Sequence, residues 1–235
     1  EALINSKGKK AHRGLFTQKP GRGFGMFGAD SDDDDNSMYD SEDNDSESED
    51  EANAFLGWVK DERPHYYPHF LTLVDTGVRL NELFGVRRLN FGRGNEGVLK
   101  VRRRLARSGK TKTRDVPLTQ PMRELADTFA NKSSVEPLYV ASGGLPWSSA
   151  GSASAALNLA LGDGCQAIGL PFDGEDAMRV HDLRHTFAYL VAKGGADLGD
   201  LQYLMGHEDI SQTMRYRGFI QSRAKGYVSC MLDVS

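Results

Sequence analysis

The chain has 235 residues, of which 39% are apolar, and a formal net charge of −4. This length and apolar content predict one main folded domain of ordinary size. Two cysteines are too few for a disulfide framework, and the sequence has neither an apolar run long enough to span a membrane nor a signal-peptide pattern, so we expect a cytoplasmic protein.

The net charge is the sum of three segments that differ strongly in charge. Residues 1–29 carry six basic residues against one acidic residue, residues 30–51 carry thirteen acidic and no basic residues, and residues 52–235 carry twenty-three basic against nineteen acidic residues. Self-repulsion and scarce apolar residues predict a disordered linker with an acidic tract over residues 1–51. This tract is interpreted as a solvated connector, the alternatives being a nucleic-acid mimic or a regulatory tail. Residues 52–235 should form the folded, mildly basic domain, which suits an anionic partner.

In chain order, the apolar spacing predicts helices in NAFLGWVKDE and HYYPHFLTLV, a turn at DTG, and a helix in RLNELFGV. RRLNF and GVLKVRRRLA are predicted as two strands joined by the turn GRGNEG, and RDVPL as a third strand. The remaining pattern is helical through PMRELADTFA, SSAGSASAALNLAL, the segment beginning at His181, ADLGDLQYLMGH and ISQTMRYRGF. The expected fold class is therefore mainly α with a small three-stranded antiparallel sheet, an α+β fold.

Basic residues are concentrated between Arg87 and Arg114, where eleven of twenty-eight residues are Lys or Arg and Glu96 is the one acidic residue. Leu99 and Val101 alternate with basic residues, so one strand face can pack while the other stays positive. Such a patch attracts phosphate, although it could also be solvated surface or bind the acidic tract. The residues expected to contact nucleic acid are Arg87, Arg88, Lys100, Arg102, Arg104, Arg107, Lys112 and Arg114.

The segment HDLRHTFA, residues 181–188, places two histidines and an arginine just before an apolar helical run. In a helix, His181 shares a face with Arg184 and with His185, at spacings of three and four residues. A zinc site is disfavoured, because no Glu follows His181 as in the HExxH pattern and because Arg184 would repel a divalent cation. If this motif stood alone, satisfied core histidines would be the default interpretation.

Three further motifs accompany this segment: TGVRLNEL, KTKTRDVPL and LMGHEDISQTMRY. The four motifs occur in the order of the tyrosine recombinases, or phage integrase family, and at close to that family's spacings. From about Ala52 to Ile220 the chain resembles the catalytic domain of that family. The resemblance implies a site-specific DNA recombinase or integrase that cleaves and rejoins double-stranded DNA through a 3′-phosphotyrosyl intermediate, without metal, cofactor or ATP. It also implies a homo-tetramer on DNA, and is compatible with a monomer when free.

The resemblance further implies catalytic roles. Tyr216 would attack the phosphodiester and release a 5′-hydroxyl, while Arg79 and Arg184 would hold the non-bridging phosphate oxygens. His181 would handle the tyrosine proton, and His207 would donate a hydrogen bond to the phosphate. These residue types suit the chemistry, because a planar guanidinium can meet two phosphate oxygens at once and histidine titrates near neutral pH.

Three features depart from the family pattern. The lysine turn is one residue shorter, which leaves Lys110 and Lys112 as alternatives for the general acid, and Lys110 is preferred. No complete core-binding domain precedes Ala52, so one interpretation is that the chain is a fragment and EALINS a remnant of that domain's last helix. The acidic tract, finally, would compete with DNA for the basic patch.

Other interpretations stay open for single residues and for function. Tyr216 could be an amphipathic packing residue and His185 a buried polar group. Glu82 could be a helix-surface charge partner, but the preferred interpretation is that it steadies Arg79 or the local structure. The functional alternatives are a type IB topoisomerase, against which the paired HxxR and GH motifs argue, and a degenerate, non-catalytic DNA-binding module, against which the intact set of six candidate residues argues.

Overall fold

The computed structural model describes residues 47–92, 97–104, 109–174, 177–218 and 220. Within these ranges the chain is mainly helical and contains one two-stranded antiparallel sheet. The helices are α1 (Glu47–Glu62), α2 (Tyr67–Thr76), α3 (Leu80–Gly85), α4 (Gln120–Thr128), α5 (Ala150–Ala167), α6 (Leu183–Gly194), α7 (Leu198–Met205) and α8 (Ser211–Met214). The strands are β1 (Val98–Arg104) and β2 (Thr111–Pro117), and short 3₁₀ helices cover Arg88–Asn90 and Val180–Asp182.

Each helix predicted from residue 52 to residue 214 is present, with boundaries set by local signals. Helix α2 begins beside Pro68 and ends at Gly77, which adopts a left-handed conformation with φ +57°. The predicted boundary at Ala52 falls inside α1, whose first residues belong to the acidic tract. The rest of the predicted linker lies outside the described residues.

The predicted strand RRLNF is wrong in the structure. Residues 88–90 form a 3₁₀ helix instead, and Phe91 makes a single isolated bridge with Leu99. The Arg87 backbone N–H donates to Asn90 Oδ1 at 2.8 Å, and its guanidinium Nη1 donates to the Phe84 carbonyl at 2.7 Å. These local hydrogen bonds favour a turn over a strand, because they satisfy backbone groups that would otherwise pair with a neighbouring strand. The expected three-stranded sheet is therefore two-stranded in the described part of the chain.

The register of the hairpin decides which of its side chains face the core. Val101 pairs with Arg114, and Leu99 with Val116, and all four residues are buried. The intervening pair of Arg102 and Thr113 is exposed. One face of the sheet therefore closes over the core, while the other presents a positive surface to solvent, as the alternation predicted.

The core lies between α2, α5, α6 and the inner face of the hairpin. Helix α6 can approach α2 closely because residue 77 is a glycine: a Cβ atom there would lie 2.1 Å from Phe187 Cδ1. This close approach brings the start of α6 to the turn between α2 and α3. None of the helices within the described ranges has the length and apolar character needed to cross a membrane.

Candidate active site

Arg79 occupies the N-cap position of α3, two residues beyond the left-handed Gly77. Its backbone N–H donates to Glu82 Oε2 at 2.9 Å, and its guanidinium Nη1 lies 3.4 Å from Glu82 Oε1. The Arg79 side chain is 19% exposed. The carboxylate therefore positions both the backbone and the side chain of Arg79, which confirms the steadying interpretation of Glu82.

Arg184 lies in the first turn of α6 and is buried. Its Nη1 donates to the Gly77 carbonyl and its Nη2 to the Met205 carbonyl. Burial, followed by the neighbouring charges of Arg79 and Arg114, lowers the pKa of Arg184 to about 9, so the group stays charged at neutral pH. Two backbone carbonyls from distant parts of the chain thus orient this guanidinium.

Arg114 was expected to contact nucleic acid, and the structure corrects this expectation. Its guanidinium is buried and forms a two-pronged ion pair with Glu82, with N···O distances of 3.0 and 2.8 Å. Its Nε donates to the Leu204 carbonyl at 2.8 Å. Burial would raise the pKa of Glu82, but hydrogen bonds and charge from Arg114, and then from Arg79, outweigh it and lower that pKa to about 2. Arg114 points to the inner face of the hairpin, so it stabilises the packing beneath the site and is not available to solvent.

His207 follows Gly206, the left-handed residue that ends α7. A Cβ atom at residue 206 would lie 2.7 Å from Arg114 Nη1, so glycine permits this close packing. His207 Nδ1 lies 2.9 Å from the hydroxyl of buried Thr213, which fixes the ring orientation. Burial, followed by the charges of Arg184 and Arg79, lowers the pKa of His207 to about 3. His207 is therefore neutral at pH 7.

Tyr216 is 5% exposed and lies just beyond α8. Its hydroxyl is 2.6 Å from Nδ1 of His185 on α6. His181 lies in the 3₁₀ turn before α6, and its ring packs edge-on against His185 with centroids 5.8 Å apart. Desolvation of the His181 ring, followed by the charge of Arg184, lowers the pKa of His181. The sequence predicted that His181, Arg184 and His185 share one helical face. In the structure His181 lies in a 3₁₀ turn that leads into α6, and the other two residues lie in α6.

The structure brings five of the six predicted catalytic residues into one electrostatically coupled group. Arg184 interacts with Arg79 and Tyr216, and both arginines act on His181 and His207. In the guanidinium cluster, which comprises Arg79, Arg114 and Arg184, the first two pair with the carboxylate of Glu82. This one carboxylate does not balance the three positive charges.

The two candidate lysines differ in position. Lys112 lines a cavity of about 320 Å³ between the hairpin and α7, together with Arg103, Tyr203 and His207. Lys110 is exposed in the residue before β2 and does not line that cavity. Lys112, rather than the preferred Lys110, thus shares a cavity with His207.

The remaining basic residues vary in accessibility. Lys100, Arg102 and Arg104 are exposed on β1. Arg87 is half-buried, and part of its donor capacity is taken by the carbonyls of Phe84 and Val135. Arg88 is also half-buried, and Arg107 lies outside the described residues.

Three residues near the site were not assigned a catalytic role from the sequence. His185 contacts the tyrosine, Thr213 orients His207, and Arg103 lines the cavity 4.0 Å from Glu208. Arg103 could have been recognised from strand alternation, because it shares the parity of Leu99 and Val101. No group of three His, Cys, Asp or Glu residues is arranged to hold a metal ion in the described ranges.

Curated relatives are named tyrosine recombinase XerC. The protein from Bradyrhizobium diazoefficiens is 32% identical over 158 residues, which cover 64% of this chain and 44% of that protein. The one from Rhodospirillum centenum is 32% identical over 152 residues, or 63% of this chain and 40% of that protein. The chain spans less than half the length of these relatives.

Solved structures with a similar fold include the XerA recombinase, with a TM-score of 0.57 and 20% identity over 81% of this chain and 65% of that one. The catalytic domain of bacteriophage HP1 integrase gives a TM-score of 0.54 and 24% identity, covering 77% of this chain and 91% of that one. At these identities the likeness concerns the fold. Residues 48–221 match the phage integrase family, and the chain belongs to this family.

Proposed function

We propose that this chain contains the catalytic domain of a site-specific DNA recombinase or integrase. It breaks and rejoins duplex DNA through a 3′-phosphotyrosyl intermediate, with neither metal nor ATP. The catalytic unit includes α1, which begins at Glu47 and not at the predicted boundary of Ala52, and the residues before α1 are a connector. The observation that supports this proposal is that the Tyr216 hydroxyl lies 2.6 Å from His185, which follows Arg184 on α6, and that Arg184 interacts electrostatically with both Tyr216 and Arg79.

The charge of the cluster supports phosphate as the bound group. Glu82 alone does not balance the three guanidinium charges, so the cluster favours a ligand that brings negative charge. A phosphodiester supplies that charge, and its charge grows on the non-bridging oxygens in the transition state. Because Arg184 is held by two carbonyls, its remaining N–H donors are oriented before DNA arrives. Donors oriented in advance are typically worth about 3 to 4 kcal/mol of transition-state stabilisation each.

The reaction that we propose begins at the tyrosine oxygen. A phenol has an unperturbed pKa near 10, so it must lose its proton to become a nucleophile at neutral pH. The Tyr216 oxygen attacks phosphorus, the bond from phosphorus to the 5′-oxygen breaks, and that oxygen takes a proton from a lysine. His181 receives the tyrosine proton, since the negative phosphate raises the pKa of nearby histidines. The energy of the broken ester stays in the phosphotyrosyl bond, which makes rejoining possible without ATP.

The cavity favours one of the two lysines as the general acid. Lys112 and His207 line the same space, so a phosphate that accepts a hydrogen bond from His207 would lie in the cavity that Lys112 lines. We therefore assign the general acid to Lys112, in place of Lys110.

The partner that we propose is double-stranded DNA, bound by a homo-tetramer. The XerH recombinase, whose fold is similar with a TM-score of 0.55 and 20% identity over 77% of this chain and 51% of that one, was solved bound to a palindromic difH substrate. In the present chain Lys100, Arg102 and Arg104 present positive charge on the outer face of the hairpin. Lysine and arginine on one face provide the sequence-independent part of DNA affinity.

A covalent-trapping experiment tests this function. The protein is incubated with a pool of nicked duplexes that carry a randomised recognition segment, so that the short cleaved strand diffuses away and the adduct accumulates. We expect a denaturation-resistant protein–DNA adduct from the wild type and none from Tyr216→Phe, because the nucleophilic oxygen is lost. Tyr67→Phe, a half-buried tyrosine of α2, is the matched control and should still form the adduct.

Sequencing the captured DNA would identify the recognition segment. DNA binding without an adduct in the wild type would instead indicate a non-catalytic binding module. Relaxation of supercoils without strand exchange would indicate a topoisomerase. An adduct that persists in Tyr216→Phe would show that another residue is the nucleophile.

A further inference from the structure

We propose that His185 is a positioning residue for the nucleophile: it accepts the hydrogen bond of the Tyr216 hydroxyl and keeps the phenol protonated and inside the fold before DNA binds. The inference rests on the proposed function, in which Tyr216 is the attacking group. It separates the task of His185 from that of His181, to which the family resemblance assigns the tyrosine proton.

The contact itself is short and enclosed. His185 Nδ1 and the Tyr216 hydroxyl oxygen are 2.6 Å apart, and their rings are tilted with centroids 6.1 Å apart. Tyr216 is 5% exposed, whereas Tyr203 on α7 is 54% exposed. A hydrogen bond to a hydroxyl in such an enclosed position helps to offset the cost of removing that hydroxyl from water.

The surroundings of His185 determine which atom carries the proton. It is surrounded by His181 in the preceding 3₁₀ turn, Arg184 beside it on α6, and Arg215 and Tyr216 beyond α8. Burial, followed by the charges of His181, Arg215 and Arg184, lowers the pKa of His185 to about 3. At neutral pH the ring is therefore uncharged, with one donor nitrogen and one acceptor nitrogen.

A neutral imidazole facing a phenol in this way stabilises the protonated phenol. The hydroxyl donates to Nδ1, and a hydrogen bond made by the neutral form opposes ionisation. His185 is a weak proton acceptor, because burial lowers its pKa to about 3. His185 thus holds the nucleophile without activating it, and activation waits for a phosphate that changes the local charge.

Chemical nitration of the DNA-free protein with tetranitromethane, read out by peptide mass spectrometry, tests this inference. The reagent attacks accessible phenolate, so it reports both exposure and ionisation of each tyrosine. In the wild type we expect Tyr216 to react far more slowly than exposed Tyr203. His185→Leu, which cannot accept a hydrogen bond, should raise the Tyr216 rate by about tenfold. His185→Asn keeps an acceptor near the position of Nδ1 and should keep Tyr216 protected.

Buried Tyr139 is the internal control, because it is 1% exposed and should stay unreactive in each variant whose fold is intact. Unchanged protection of Tyr216 in His185→Leu, with Tyr139 still protected, would refute the inference. Equal exposure of Tyr216 in the Leu and Asn variants would refute it as well, since the acceptor would then make no difference.

A second measurement leaves His185 itself intact. Nitrogen NMR of histidine-labelled protein should show that His185 Nδ1 lacks a proton at neutral pH and that its resonance moves in Tyr216→Phe, which removes only the hydroxyl. An unmoved resonance would overturn the inference, even if the Leu variant fails to fold. Both measurements omit DNA, so their result is distinguishable from that of the covalent-trapping experiment.

Discussion

Glu82 joins two of the three arginines of the guanidinium cluster. It pairs with Arg114 across the hairpin and with Arg79 at the start of α3, and its side chain is 4% exposed. An ion pair this deeply buried adds little when it is intact, but removing one partner leaves an uncompensated charge inside the protein. The carboxylate therefore allows two arginines to be packed together beside a third.

We predict that Glu82→Gln lowers the free energy of unfolding by about 3 to 5 kcal/mol at pH 7, because the buried guanidinium of Arg114 loses its counter-charge. Urea denaturation followed by circular dichroism measures the difference. The folded-state pKa of Glu82 is about 2, below its ordinary value of 4.5, so its contribution is complete above pH 4.5 and is lost as the pH falls toward 2. The gap between wild type and variant should narrow over that range.

Glu136→Gln is the matched control for this prediction, because Glu136 is exposed. Its unfolding free energy should stay within about 0.5 kcal/mol of the wild type. An equal loss in both variants would show that net charge, rather than the buried pair, is responsible.

In the hairpin, side chains alternate between the two faces of the sheet, so some arginines face solvent and others face the core. Arg102 and Arg114 lie in the same basic stretch of sequence, but Arg102 points to solvent while Arg114 is buried. Charge density predicted a basic surface and could not tell which arginines belong to it. Strand parity contained that information, because Arg114 pairs with the core residue Val101.

We predict that Lys112→Ala slows DNA cleavage by about 10² to 10⁴-fold, the range of general acid catalysis, whereas Lys110→Ala leaves the rate within a few fold. The measurement is the initial rate of adduct formation on the captured DNA sequence. Replacing the leaving 5′-oxygen by sulfur should restore the rate of Lys112→Ala, because a thiolate leaves without needing a proton.

The reverse pattern, with the large and sulfur-rescued loss in Lys110→Ala, would return the general acid to the residue preferred from the sequence. A loss in Lys112→Ala that sulfur does not restore would give Lys112 a binding role in place of proton transfer.

At the scale of the whole molecule, the helices were predictable because their signals are local. Apolar spacing and the glycines at residues 77 and 206 locate α2, α6 and α7 without knowledge of the tertiary structure. The strand RRLNF failed because two side chains bond to nearby backbone, which a hydropathy pattern does not register. The contact between His185 and Tyr216 joins residues 31 positions apart, so it could not be read from spacing within one motif.

The aromatic core around α2 makes the stability of the whole fold depend on pH. His69 is 2% exposed and lies between the rings of Tyr66, Tyr139 and Trp147, with centroids 5.4 to 6.1 Å away. Burial, followed by the charge of His65, lowers its pKa from 6.5 to about 4. The folded state therefore keeps the ring neutral at a pH where the unfolded chain binds a proton.

We predict that this group contributes its stability above pH 6.5 and loses it as the pH falls from 6.5 toward 4, by roughly 3 kcal/mol in total. Thermal unfolding from pH 7 to pH 4 should show a smaller decrease for His69→Phe than for the wild type. His65→Gln, at an exposed neighbouring position, should follow the wild-type profile closely. A parallel decrease in the wild type and His69→Phe would assign the acid sensitivity to other groups.

The two carbonyl contacts of Arg184 determine when, during synthesis of the chain, the guanidinium can reach its final orientation. They join the turn after α2 to the end of α7, so residues 77, 184 and 205 must all be in place before this guanidinium has its orientation. A chain still emerging from the ribosome, with α7 not yet made, lacks the second anchor. An incompletely synthesised chain therefore lacks the oriented Arg184 guanidinium that the proposed strand cleavage requires.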